Sequence, residues 1–108
     1  LDPETLSPID NNLVTSCVSE LLMNAIRAEA TSIAIALRRH PLSTDSDGVE
    51  LDVTCTCGRR IPEGRPQTGT LALLADRLEF YGGSLTAVDR GDGSHTTTAR
   101  WPVAPRDR

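Results

Sequence analysis

The chain has 108 residues and a formal net charge of −4, and 24% of its residues are charged. This length suits one domain with a single modest core. The acidic balance argues against a nucleic-acid surface, and no apolar run approaches the ~20 residues that cross a bilayer. Because the chain begins at Leu1 rather than Met, we expect residues 1–108 to be one domain of a longer protein.

A first helix is predicted to run to about residue 29. Ser7 suits the N-cap, Pro8 suits the first turn, and Asp10 is placed for a capping interaction. Apolar residues recur in pairs at helical spacing, which indicates a stripe buried against a core. These pairs are Leu13/Val14, Cys17/Val18, Leu21/Leu22 and Ala25/Ile26.

Two strands are predicted next, at residues 31–37 and 49–57, because apolar residues alternate there with period two. A loop at residues 40–48 contains Pro41 and a cluster of Ser and Asp. Cys55 and Cys57 continue the alternation of the second strand, and we interpret them as small buried hydrophobic residues. There is no second cysteine pair to complete a metal site. The odd number of three cysteines favours a reducing, cytoplasmic location.

The second half of the chain predicts an irregular segment at residues 58–67, a helix at 70–81 and a hairpin of strands at 84–88 and 96–103. Gly82 and Gly83 end the helix. The order helix, strand, strand, helix, strand, strand predicts an α/β (α+β) fold. We expect a two-layer sandwich, with helices on one face of a mixed, mostly antiparallel sheet.

Three polar residues of the first helix, Glu20, Asn24 and Arg27, are spaced to share one face. This face borders the apolar stripe. A Glu and an Asn one turn apart suit a hydrated divalent ion and a polarised hydroxyl or water. The alternative is an ordinary solvated helix face.

Several motifs resemble those of the GHKL ATPase superfamily, in particular the ATP-binding catalytic domain of sensor histidine kinases. Glu20-x-x-x-Asn24-Ala25-x-Arg27 is similar to the asparagine-bearing box. Thr68-Gly69-Thr70-Leu71 is similar to a glycine-bearing turn that opens a helix, and Gly91-Asp92-Gly93-Ser94-His95 to the closing hairpin. The family's D-x-G-x-G turn corresponds to Thr56-Cys57-Gly58-Arg59-Arg60, with Thr56 in place of the aspartate that binds adenine.

The resemblance covers roughly residues 7–102 and implies a reduced Bergerat-like fold that binds ATP and Mg²⁺. It implies that Asn24 holds the metal, that Glu20 orients the attacking group or accepts its proton, and that Arg27 neutralises phosphate charge. The remaining implied nucleotide-binding residues are Thr56, Gly58, Gly69 and Thr70. Residues 58–67 would form a lid over the phosphates, where Arg59, Arg60 and Arg65 would either contact phosphate or be solvated loop charges.

The expected function is therefore transfer of the ATP γ-phosphate to a histidine on a separate dimerisation domain, with a response regulator acting downstream. Neither His40 nor His95 lies on a predicted helix beside an acidic residue, so the phosphoacceptor is expected outside this chain. Two alternatives remain open, namely a degenerate interaction module that binds no nucleotide and an anti-sigma-type serine kinase. A cytoplasmic location is expected, including the cytosolic part of a membrane-anchored kinase.

Overall fold

The computed structural model describes residues 8–41, 47–57 and 62–103. Two helices and four strands occur in the predicted order. They are α1 (Pro8–Arg27), β1 (Ala30–Pro41), β2 (Asp47–Cys57), α2 (Gly69–Phe80), β3 (Ser84–Asp89) and β4 (Ser94–Pro102). The α+β class is confirmed, and every strand pair of the described sheet is antiparallel rather than mixed.

The sheet has the strand order β1-β2-β4-β3, so the two hairpins meet where β2 pairs with β4. The strand registers align one inward-facing residue from each strand in a single row. This row consists of Leu37, Leu51, Ala99 and Leu85. Its members pack in the core cluster together with apolar residues of both helices. The two helices therefore cover the same face of the sheet.

The core joins the start of α1 to the end of β4. Trp101 is among the largest fully buried side chains, and its indole Nε1 donates a hydrogen bond of 3.0 Å to Oδ1 of Asp10. Leu13, Cys17 and Leu21 follow at helical spacing on the buried face of α1. Asp10 thus serves a tertiary contact in addition to its place in the first turn, whereas the predicted N-cap Ser7 lies outside the described residues.

The element boundaries differ from the predictions mainly where strands pair. β1 continues to Pro41 and β2 starts at Asp47, because these two residues are register partners. Much of the predicted 40–48 loop is therefore strand, and residues 42–46 lie outside the described chain. At the other end of β1, α1 stops at Arg27, and Glu29 adopts a positive φ of 60° that leaves the helix.

Gly82 and Gly83 form the turn after α2 and allow its backbone to approach β4 closely. A Cβ atom on Gly83 would lie 2.0 Å from the carbonyl oxygen of Arg100. The Gly83 amide also donates to the Leu78 carbonyl at 2.8 Å, which closes the helix end. A side chain at residue 83 would therefore separate α2 from the sheet.

Two cysteines have different chemical states. Cys17 is a buried free thiol, whereas Cys55 is buried on the inward face of β2 and takes part in a disulfide. The prediction that Cys55 is buried is confirmed. The disulfide was not predicted, because strand alternation reports the face of a side chain and not its covalent partner. The side chain of Cys57 lies outside the described part of the chain.

Candidate functional site

A cavity of about 460 Å³ opens where the end of α1 meets the start of α2. Its wall includes residues 62–68 except Gly64, and its floor includes Ala87 of β3 and Thr97 of β4. A volume of this size lies within the range of small-molecule sites, roughly 300–1,000 Å³. The cavity is therefore the candidate ligand site of the described chain.

The two helices are antiparallel, which brings opposite ends together at this cavity. Nη1 of Arg77, in the last turn of α2, donates a hydrogen bond of 2.8 Å to the hydroxyl of Ser16 near the middle of α1. Beyond this contact, the last turns of α1 supply Asn24 and Arg27 to the cavity. The first turn of α2 supplies Gly69 and Thr70. Four residues predicted from separate motifs thus line one cavity.

Two other predicted site residues, Glu20 and Thr56, are described by the structure but do not line the cavity. Glu20 is half-buried on α1. It lies one turn before Asn24, which separates the two residues by about 5–6 Å along the helix axis. Thr56 is exposed on the outer face of β2, where its hydroxyl accepts a hydrogen bond of 3.1 Å from Ser32. Gly58 lies outside the described residues.

The face that Thr56 occupies follows from strand alternation. Val53 and Cys55 point inward and are buried, so Thr56 must point to the opposite face. The assignment of Thr56 as the residue that reads adenine placed its side chain by motif position, without requiring it to face the helices. In this register, its hydroxyl cannot reach the cavity.

Sequence reasoning missed the residues of the cavity floor. Ala87 and Thr97 are direct register partners in the β3–β4 pair, and each is 6% exposed. The inward positions of β4 are His95, Thr97, Ala99 and Trp101. Thr97 could have been recognised as a floor residue because it is a polar residue at an inward position of β4. A buried polar side chain needs a hydrogen-bond partner or a polar cavity beside it.

The start of α2 offers a positive electrostatic environment to an anion. Thr68 is the N-cap residue but makes no side-chain capping hydrogen bond, and the first turn contains no acidic residue. Backbone N–H groups at a helix start are partly positive and bind anions. Gly69 has a φ of 73° that a side chain would strain, and Arg27 adds a full charge across the cavity.

Arg65 lines the cavity, but its guanidinium is engaged with α2. Nε donates to Glu79 at 2.6 Å, and Nη2 donates to Asp76 at 2.5 Å and to Glu79 at 3.1 Å. The hydrogen bonds to Glu79 and then to Asp76 raise the pKa of Arg65, and the hydrogen bond from Arg65 lowers the pKa of Glu79. Arg65 is therefore neither a free loop charge nor a free phosphate ligand. Arg59 and Arg60 lie outside the described residues.

Metal-binding side chains are sparse in the described chain. Residues 8–41, 47–57 and 62–103 contain no group of three or more His, Cys, Asp or Glu arranged to hold a metal ion. His95, which the sequence placed in a turn, lies in β4 with its side chain buried, and its Nδ1 has no hydrogen-bond partner among the described residues. The cavity lining includes the carboxylate of Glu63 and the amide of Asn24, so any divalent ion there would depend largely on oxygen atoms of a ligand.

Comparison with known proteins adds no relative. A scan against models of known protein families finds no match, and a search of curated proteins finds no significant match. Neither described helix is long and apolar enough to cross a membrane.

Proposed function

We propose that this chain is the ATP-binding catalytic domain of a sensor histidine kinase and that the cavity between α1 and α2 holds the nucleotide. One observation carries the proposal: Asn24, Arg27, Gly69 and Thr70 line the same cavity of about 460 Å³. These residues were selected from two motifs that are far apart in the chain. Their convergence supports a shared ligand more strongly than either motif does alone.

The phosphates of ATP would lie at the start of α2. There the first turn of α2 and Arg27 line the same cavity, and both the N–H groups of a helix start and a guanidinium favour negative charge. The amide oxygen of Asn24 fits Mg²⁺, which takes one or two protein oxygens and completes its shell with water and substrate phosphates. When bound, the ion would neutralise charge on the transferred phosphoryl group.

The base of the nucleotide would lie deeper, against the floor of the cavity. Thr97 supplies the polar group there, whereas Thr56 points to the outer face of the sheet. A hydroxyl can both donate and accept a hydrogen bond. We therefore assign base contact to Thr97 in place of Thr56.

The phosphoacceptor belongs to another part of the proposed kinase. A histidine on a separate dimerisation domain would attack the γ-phosphate in line, and a response regulator would receive the phosphate from it. Glu20 would orient that attack from the rim, one turn from Asn24. The proposal includes a cytoplasmic location, against which the disulfide of Cys55 counts, because disulfides are rare in reducing compartments.

A non-catalytic interaction module is the second candidate. It is favoured by the position of Glu20 outside the cavity lining and by the lack of a carboxylate at Thr56. The serine kinase alternative uses the same cavity and differs in its acceptor. Transfer of labelled phosphate to a dimerisation-domain histidine or to a partner serine separates the two kinases.

Calorimetric titration with ATP tests the proposal directly. We expect tighter binding with Mg²⁺ than with a chelator, and we expect Asn24→Ala to abolish that difference with little loss of stability. Asn12→Ala is the matched control, because Asn12 is exposed on the same helix and does not line the cavity. Equal affinity in all titrations contradicts the role of Asn24, and a flat trace for the unaltered chain favours the non-catalytic module.

A further inference from the structure

The cavity wall formed by residues 62–68, here called the wall segment, is attached to β3 along one side. The Gly64 amide donates to the Ala87 carbonyl at 2.9 Å, and the Ala87 amide donates back to Gly64 at 3.0 Å. A carboxylate oxygen of Glu63 also accepts a hydrogen bond of 2.9 Å from the Asp89 amide. One edge of the wall segment is thus joined to the edge strand β3 by an isolated β-bridge and one side-chain contact.

Arg65 attaches the other side of the wall segment to α2. Glu79 receives two hydrogen bonds from the guanidinium, from Nε and Nη2, in a bidentate arrangement. Asp76 lies one turn earlier on the same helix face and receives a third. The Arg65 side chain is only 32% exposed. Bidentate pairs of this kind hold a geometry as well as a charge.

We propose that Arg65, Asp76 and Glu79 form a latch that holds the wall segment in the position required for ligand binding. Arg65 is then a positioning residue, because it acts on the cavity by holding the wall segment in place. The identity of the ligand as a nucleotide rests on the proposed function, whereas the latch rests on the contacts alone. A wall that is already in place raises affinity, because a ligand does not have to order it.

The hydrogen-bond count favours a latch over direct contact with an anionic ligand. Arg65 donates from Nε once, from Nη2 twice and from Nη1 to the Pro66 carbonyl at 2.9 Å. A guanidinium has five N–H donors in total, so four hydrogen bonds leave one donor for a ligand. Direct recognition of phosphate by Arg65 would require breaking contacts to α2.

The experiment measures amide exchange at Gly64 and Ala87 and the affinity for MgATP in the full chain. The variants are Arg65→Gln, the double variant Asp76→Asn/Glu79→Gln, and the combination of all three. We expect each variant to raise amide exchange and the Kd by about three- to thirtyfold, with the combined variant no worse than either. Arg65→Lys should rescue only in part, because an ammonium lacks the planar fork.

Arg77→Gln is the control, since Arg77 lies on the same helix and contacts Ser16 away from the wall segment. It should leave amide exchange at Gly64 unchanged. Unaltered exchange in the Arg65→Gln and Asp76→Asn/Glu79→Gln variants overturns the latch. The latch is also overturned if the double variant binds MgATP as well as the unaltered chain while Arg65→Gln binds weakly, because Arg65 would then contact the ligand itself. Lost protection in a chain that never binds MgATP supports the latch and contradicts the nucleotide function instead.

Discussion

At the scale of single residues, the contact between Asp10 and Trp101 connects the first turn of α1 to the end of β4. Both side chains are almost fully buried, at 1% and 2% exposed. A buried indole N–H without an acceptor carries a desolvation cost. The carboxylate of Asp10 therefore satisfies a polar group that the core encloses.

Asp10→Ala is expected to lower the free energy of unfolding by about 1–3 kcal/mol, because it leaves the Trp101 N–H without this acceptor. Asp10→Asn retains an oxygen acceptor and should cost less. Urea denaturation followed through the fluorescence of the single tryptophan measures both variants. Equal stability of Asp10→Ala and the unaltered chain would mean that water replaces the carboxylate.

Cys17 is expected to be unreactive in the folded chain. Burial raises the pKa of Cys17 from its ordinary 9.0 to about 12, against a smaller lowering by Arg77. The reactive thiolate is therefore scarce at neutral pH. Iodoacetamide should label Cys17 only as fast as the protein unfolds, with Cys17→Ala identifying the labelled site and urea-unfolded protein as the positive control.

The same shift gives Cys17 a defined effect on stability at high pH. Because the folded pKa is raised, the stability contribution of the protonated thiol is complete below pH 9 and is lost between pH 9 and about 12. Cys17→Ala should remove this part of the alkaline decline in denaturation midpoint. Rapid labelling of the native chain near neutral pH would contradict the burial of this thiol.

At the scale of elements, α1 carries its buried residues and its cavity-lining residues on different faces. Leu21 is 2% exposed, whereas its neighbour Leu22 is only half-buried. Asn24 and Arg27 lie on the side that faces the cavity. The residues of α1 that stabilise the core are therefore not the residues that line the cavity.

Leu21→Ala should lower the free energy of unfolding by about 2–5 kcal/mol, because it removes buried surface and leaves a cavity. Leu22→Ala should cost less, and Glu20→Ala should cost under about 1 kcal/mol. Denaturant melts of these three variants rank the positions. A larger loss for Glu20→Ala than for Leu21→Ala would mean that the polar face is a structural network.

At the scale of the whole molecule, the cavity depends on parts of the chain that are far apart. The helices supply its mouth, and the β3–β4 hairpin supplies its floor. Thr97 lines the cavity beside its register partner Ala87 of β3, so the floor depends on the pairing of β4 with β3. A substitution at Thr97 therefore tests whether the cavity formed by these distant segments binds the ligand.

Thr97→Val is expected to weaken ATP binding by roughly two- to thirteenfold, which corresponds to the loss of one neutral hydrogen bond of about 0.5–1.5 kcal/mol. Thr56→Val is the matched control and should leave the affinity unchanged, since its hydroxyl lies on the outer face. Calorimetry on both variants measures the difference. The reverse order would contradict the assignment of the cavity as the nucleotide site.

Local patterns were sufficient for most elements. The second helix was predicted at residues 70–81 and is found at Gly69–Phe80, because helical spacing and terminal glycines act within a few residues of each other. The extension of β1 to Pro41 could not be read in this way. It depends on pairing with Asp47, which overrides the local preference of proline for a loop.

The candidate site likewise contains residues that local patterns predicted and residues that only tertiary contacts brought together. Asn24 and Arg27 were predictable together because a helix repeats every 3.6 residues and so sets which side chains share a face. Strand alternation likewise separates two faces and predicted Thr56 on the polar one, where it lies, but the role of Thr56 in base recognition came from its motif position alone. The floor at Thr97 and the carboxylate partners of Arg65 arise from contacts between distant residues. Such contacts form only when burial of the whole core brings the two helices and two hairpins together.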